Sequence, residues 1–145
     1  MRPVVRSVAS VVTLAVLTLL ITGCGGFVRA RYEVIAKEDL PVDVAHWKEW
    51  TPEASQALVH KTKDSVYVAI GLGPCWRSKC QVKVTSVYRS GPRFLLKASL
   101  KEAGSTQKTP TFPVEFIRIP TDSDFEAISF EISGGHDEFR VKYEN

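Results

Sequence analysis

Six side chains in this 145-residue sequence are of the kinds that hold metals or do redox chemistry: Cys24, Cys75 and Cys80, and His46, His60 and His136. Cys75 and Cys80 stand with four residues between them and enclose Trp76, Arg77 and Lys79. Such a pair either closes a small disulfide loop or supplies half of a zinc site. A closed zinc site wants further Cys or His at matching spacing, and the three histidines show none, so no metal is expected there. His136, Asp137 and Glu138 beside Gly134 and Gly135 read as half a metal site or, more simply, as a solvated turn. A nucleophilic triad needs a base and an orienting acid brought to a Ser or Cys, and no local signature marks any serine. Neither an enzyme nor a cofactor is therefore expected. An aromatic flanked by basic residues on a stiffened loop is the composition of interface hot spots. Trp76, Arg77 and Lys79 are accordingly the candidate partner-binding residues, unless Trp76 folds back as a lid on the core.

The elements that must position this loop are mostly strands. Residues 67–87 read as a β-hairpin: an apolar run (Val66, Val68, Ile70, Leu72), a tip closed by the cysteines, then Val82 and Val84 alternating with Lys83 and Thr85. Upstream, 28–36 has the alternation of one half-buried strand. Asp39 and Pro41 suit the start of a helix carrying Val44 and Trp47, and Thr51-Pro52 restarts a second short helix toward His60. Downstream, Ser90-Gly91-Pro92 is a turn, Phe94, Leu96, Ala98 and Leu100 mark a strand, and 102–111 is the longest candidate loop. Strands follow at 112–119 and 125–132, and a hairpin turn at 133–136 leads into a last strand carrying Phe139, Val141 and Tyr143. The expected fold is mainly β: a small antiparallel sandwich or part-open barrel with a short N-terminal helical segment.

Arg2 and Arg6 precede an uncharged apolar run from 8 to 21, followed by Ile21-Thr22-Gly23-Cys24. This closely resembles a bacterial lipobox. The resemblance implies a signal peptide over 1–23, cleavage after Gly23, and a lipid-modified, palmitate-bearing Cys24 heading a tether over 24–27. An uncut membrane anchor is the alternative, but the apolar core is shorter than the ~20 residues a span needs. Either way the rest of the chain lies outside the cytoplasm, on the cell membrane or, in a Gram-negative host, the outer membrane. Each buried methylene of a lipid chain contributes ~0.8 kcal/mol, so multiple acylation would hold the domain on a bilayer. With Cys24 taken by lipid, Cys75 and Cys80 are the remaining pair, in an oxidising compartment, and a disulfide is expected.

The precursor holds 19 Lys+Arg against 16 Asp+Glu, a net +3, and loses Arg2 and Arg6 with the signal. A near-neutral mature domain gives no reason to expect nucleic-acid binding. Charge is nonetheless uneven. Every charged residue from 77 to 101 is basic, whereas acids outnumber bases over 115–145. That pattern is either a basic face toward an acidic partner or lipid surface, or the two halves of cross-strand pairing, each exposed pair being worth little.

Three stretches carry a further resemblance: 67–73 (YVAIGLG), 82–87 (VKVTSV) and 111–120 (TFPVEFIRIP). Together with the 32–50 segment containing Leu40, Pro41 and Trp47, they resemble the PrcB C-terminal domain family, named for a subunit of a secreted bacterial protease complex. The resemblance implies a domain over 65–145, with 28–64 as a strand and short helices packed on it. It also implies a non-catalytic accessory role, binding and stabilising a secreted protease or other envelope protein. The chain departs from the family at the tip, where a Pro-Thr-Gly-Gly-Tyr-like sequence is common and this chain has Pro74-Cys75-Trp76-Arg77-Ser78-Lys79-Cys80. The alternatives are a protease inhibitor presenting the Cys75 to Cys80 loop and a passive structural or ligand-binding lipoprotein.

Overall fold

A computed structural model describes residues 26–121, 124–134 and 138–145; the signal segment, Cys24 and His136 lie outside the described residues. Among the described residues nine strands form: β1 (Val28–Arg29), β2 (Glu33–Ile35), β3 (Ser55–Lys61), β4 (Ser65–Leu72), β5 (Cys75–Ser90), β6 (Arg93–Thr111), β7 (Val114–Pro120), β8 (Ala127–Ser133) and β9 (Arg140–Glu144). They build two sheets, ordered β1-β5-β6-β8 and β2-β7-β4-β3-β9. Most pairings are antiparallel, but β8 runs parallel to β6 and β9 parallel to β3. The result is the expected mainly β architecture, a sandwich or open barrel that does not close.

The core lies between the sheets. Val66, Val68, Ile70 and Leu72 of β4, with Ile117 and Ile119 of β7, meet Val82, Val84, Phe94, Leu96 and Ala98 of β5 and β6. A second cluster covers the outer face of the five-stranded sheet, where Leu58, Ala69 and Phe116 receive Leu40, Val44 and Trp47. Val44 and Trp47 belong to the 3-10 segment Val42–Glu49, and Leu40 follows a first 3-10 segment, Lys37–Asp39, so no single helix begins at Asp39. Three residues per turn still put Val44 and Trp47 on one face, so the burial follows the expected spacing while the helix type does not. Glu144 pins the last strand to this segment, accepting hydrogen bonds from Trp47 Nε1 (2.9 Å) and pairing with His46 Nε2 (2.8 Å). These two contacts hold its carboxyl below the usual range, against an opposing push from burial.

Four expectations are corrected. The 67–87 stretch is no hairpin, because β4 is flanked on both edges by β3 and β7 and has none left for β5. Gly73, at φ +83, and Pro74 instead carry the chain from one sheet to the other. The second helix is strand β3; Ala54, Ala57 and Leu58 suggested a helical face because a strand buried on both faces loses its alternation. The 28–36 strand splits into β1 and β2, one in each sheet, with 30–32 crossing between them. β8 and β9 also lie in different sheets, so the two form no hairpin; the expected turn at 133–136 falls partly outside the described residues. The hairpin that does form around the expected Ser90-Gly91-Pro92 turn is β5–β6.

Candidate functional site

The 102–111 segment is the fifth correction, and it makes the site. Instead of a loop it is the outer half of β6, paired with the cysteine-bearing start of β5: Cys75 faces Thr111, Arg77 faces Thr106, Lys79 faces Ala103 and Cys80 faces Glu102. Residues 101–109 are all exposed, so this part of the ladder projects from the body as an arm. Sequence composition hid it, since its Gly, Ser, Thr and Pro content is that of a loop.

Cys75 and Cys80 are joined as a disulfide with Cα atoms 6.3 Å apart. Five residues of extended strand span about 16 Å, so residues 76–79 are drawn up into a short protruding loop. Two contacts seat this loop on β6. Ser105 N–H donates to Ser78 Oγ at 3.0 Å, and Gly104, at φ +86, leaves room for the same hydroxyl, which a Cβ at 104 would meet at 1.9 Å. Cys75 is fully buried, anchoring the loop, while Trp76 is 49% exposed and Arg77, Ser78 and Lys79 face solvent. The three expected partner-binding residues are thus all exposed. The clasp sits at the root of a strand rather than at a hairpin tip.

The uneven charge divides along the ladder. In the inner part, Arg93 pairs with Glu126 at 3.0 Å and Lys97 with Glu131 at 3.3 Å, the cross-strand pairing that the charge pattern suggested. On the arm, Arg77, Lys79, Lys101 and Lys108 make no ion pair among the described residues.

At the base of the arm lies a groove of about 720 Å³. Its walls are Val34 and Ile35 of β2, Trp50 and Thr51, Gln81 and Val82 of β5, and Phe112, Val114, Glu115 and Phe116 on and before β7, with Lys37, Lys48 and Glu49 at the rim. Glu115 shares its parity with the inward-facing Ile117 and Ile119, which is the signal that sequence reading missed: a carboxylate on the core face of a strand. It accepts the Val84 N–H, and Tyr32 Oη donates to the Val84 carbonyl at 3.1 Å. Burial raises the Glu115 pKa, with the Val84 bond and Lys83 pulling the other way.

Those two side chains stand in for a missing strand. β1 pairs with β5 only at Arg89 and Tyr88, and a last bond runs from Ala30 N–H to the Val87 carbonyl at 2.8 Å. A bulge between Val84 and Ser86 follows, and below it the edge of β5 away from β6 has no strand neighbour among the described residues. His46 and His60 are engaged elsewhere, at Glu144, and no cluster of three or more His, Cys, Asp or Glu among the described residues could hold a metal ion. No helix among the described residues is long and apolar enough to cross a membrane. Compared with known proteins, the chain matches no family model, no curated protein and no solved structure.

Proposed function

We propose that this chain is a non-catalytic lipoprotein of the cell envelope, anchored through Cys24, that binds and stabilises a secreted protease or another envelope protein through the clasped arm. The observation that carries the reading is the half-exposed Trp76 beside Arg77 and Lys79 on a loop shut by the Cys75–Cys80 disulfide. A large aromatic costs about 1.5–3 kcal/mol of forgone burial when left in water, and a loop already ordered binds with less entropic loss. The resemblance of 67–73, 82–87 and 111–120 to the PrcB C-terminal domain family supports the accessory role.

Topology adds direction. The chain enters the domain at Val28, opposite Arg89, at the end of the β5–β6 ladder farthest from the arm. Cys24 precedes Val28 by four residues, at most about 14 Å of chain. On this reading, a bilayer holding Cys24 would be at the Val28 end of the domain, with the arm at the other end of the β5–β6 ladder.

The test is crosslinking in the native cell from a photoreactive residue at position 76 of a C-terminally tagged chain with Cys24 intact, followed by mass spectrometry. A single partner in near-equal amount, unstable when this chain is deleted, is the expected result. A protease that becomes more active on deletion would replace the accessory role with inhibition by the Cys75 to Cys80 loop. Recovery of no stoichiometric partner would sink both and leave a passive lipoprotein.

A further inference from the structure

We infer that the groove beneath the arm takes an extended, acidic segment of the partner as an added strand along the free edge of β5. This deepens the binding-module reading and rests on it. Three observations converge. β5 is a 16-residue strand, yet β1 pairs with it at two residues only, and below the Val84–Ser86 bulge its edge away from β6 has no paired strand among the described residues. Val84 shows which way that edge points, since its N–H and C=O are taken by Glu115 and Tyr32 and not by β6. Backbone direction alternates along a strand, so the N–H and C=O of Val82, two residues on with no intervening register shift, face the same side, into the groove. An unpaired edge of this kind is a template for another strand.

The groove beside that edge suits the side chains such a strand would bring. Alternate residues of an added strand point inward, where Ile35, Trp50, Val82, Val114 and Phe116 offer apolar walls. The other residues point outward, beside an arm carrying Arg77, Lys79, Lys101 and Lys108 against Glu102 alone, and none of the four bases is in an ion pair among the described residues. At the rim, Lys37 and Lys48 stand with Glu49, while Glu115 in the wall is bonded to Val84 N–H. The complement is a segment alternating apolar and acidic residues, about four residues long over the reach from Cys80 to Lys83, since Val84 is already capped by Glu115 and Tyr32.

The probe is a blocked nine-residue peptide of alternating Glu and Val, titrated by NMR into the full chain in zwitterionic detergent. Its companions are a Lys-for-Glu version and two versions N-methylated at alternate residues, one for each edge of the peptide. The expected result is hydrogen-exchange protection of the Val82 amide by the acidic peptide. Binding should weaken by about tenfold in an Arg77→Glu/Lys79→Glu/Lys101→Glu chain and fall with added salt. One methylation phase should abolish binding and the other spare it. Equal binding of the Lys peptide, indifference to both methylation phases, or no binding would overturn the proposal. So would protection of Val82 by the protein's own concentration, which would assign the edge to a second copy. Should crosslinking from position 76 still recover a stoichiometric partner in any of these cases, the accessory reading stands and only the added strand falls.

Discussion

The two halves of the β5–β6 ladder are the same pair of strands under different physics. In the inner half, Phe94, Leu96, Ala98 and Leu100 are buried in strict alternation with more exposed neighbours, and they meet β5 residue for residue apart from the bulge at Val84. In the outer half nine consecutive residues of β6 are exposed and the register shifts twice within five residues of β5. Burial sets the inner register, because a one-residue slip would turn the apolar set to solvent. The outer half has no such penalty to draw on, and beside its four strand pairs its shape rests on one disulfide, the Ser78–Ser105 bond and a glycine that accommodates them. The inner half is built to stay folded, and the outer half to hold one loop still while leaving its side chains free.

The largest effect should come from exchanging an aromatic in each half. Phe94, 1% exposed in the core, should lose about 3–5 kcal/mol of stability on Phe94→Ala in urea unfolding. Trp76→Ala should stay within about 0.5 kcal/mol, as for an exposed site. A Trp76→Ala loss approaching that of Phe94→Ala would make Trp76 a lid on the core and remove the comparison.

Reducing the disulfide comes next. The chain-entropy account gives about 2 kcal/mol for so short a loop, as an upper figure. Amide exchange after reduction should rise over 75–81 and 102–111 and stay unchanged over 93–100, since only the outer half leans on the bond. Faster exchange spreading through both halves would mean that the clasp supports the core as well.

This division also explains what could be read in the sequence. Alternating apolar residues announced the inner half of β6 and the run in β4, because burial writes a period into sequence. The Cys75, Trp76, Arg77 and Lys79 constellation was legible as a loop with exposed contacts. Strand partners were not. Whether β4 pairs with β5 or with β3 and β7 depends on edges far apart in sequence, and a Gly73-Pro74 link serves a hairpin or a change of sheet equally well. The outer half of β6 could not be told from a loop because nothing in it is buried. Glu115 was legible in principle, from its parity with Ile117 and Ile119, but its partner Val84 is a backbone group and leaves no mark in the side-chain pattern.

Glu115 sits where the two halves meet and gives the smallest and most specific test. Burial raises its pKa above the ordinary 4.5, so the folded chain binds this proton more tightly than the unfolded chain does. The associated stability is fully present below the unfolded value and is lost as pH rises through the raised folded value. Glu115→Gln keeps an oxygen for the Val84 N–H and removes the titration. That chain should match the parent below about pH 4, and equal or exceed it near pH 7. Glu115→Ala leaves the Val84 N–H without its acceptor and should cost about 1 kcal/mol, the low end for an unmet donor that water can reach. Urea unfolding of the three chains from roughly pH 4 to 7 separates the effects, because the lost acceptor lowers stability at every pH while the titration adds a slope only to the parent. A parent that gained stability with rising pH across that window would mean that the bond to Val84 outweighs burial, and that the edge of β5 at the groove is better sealed than its neighbour Val82 suggests.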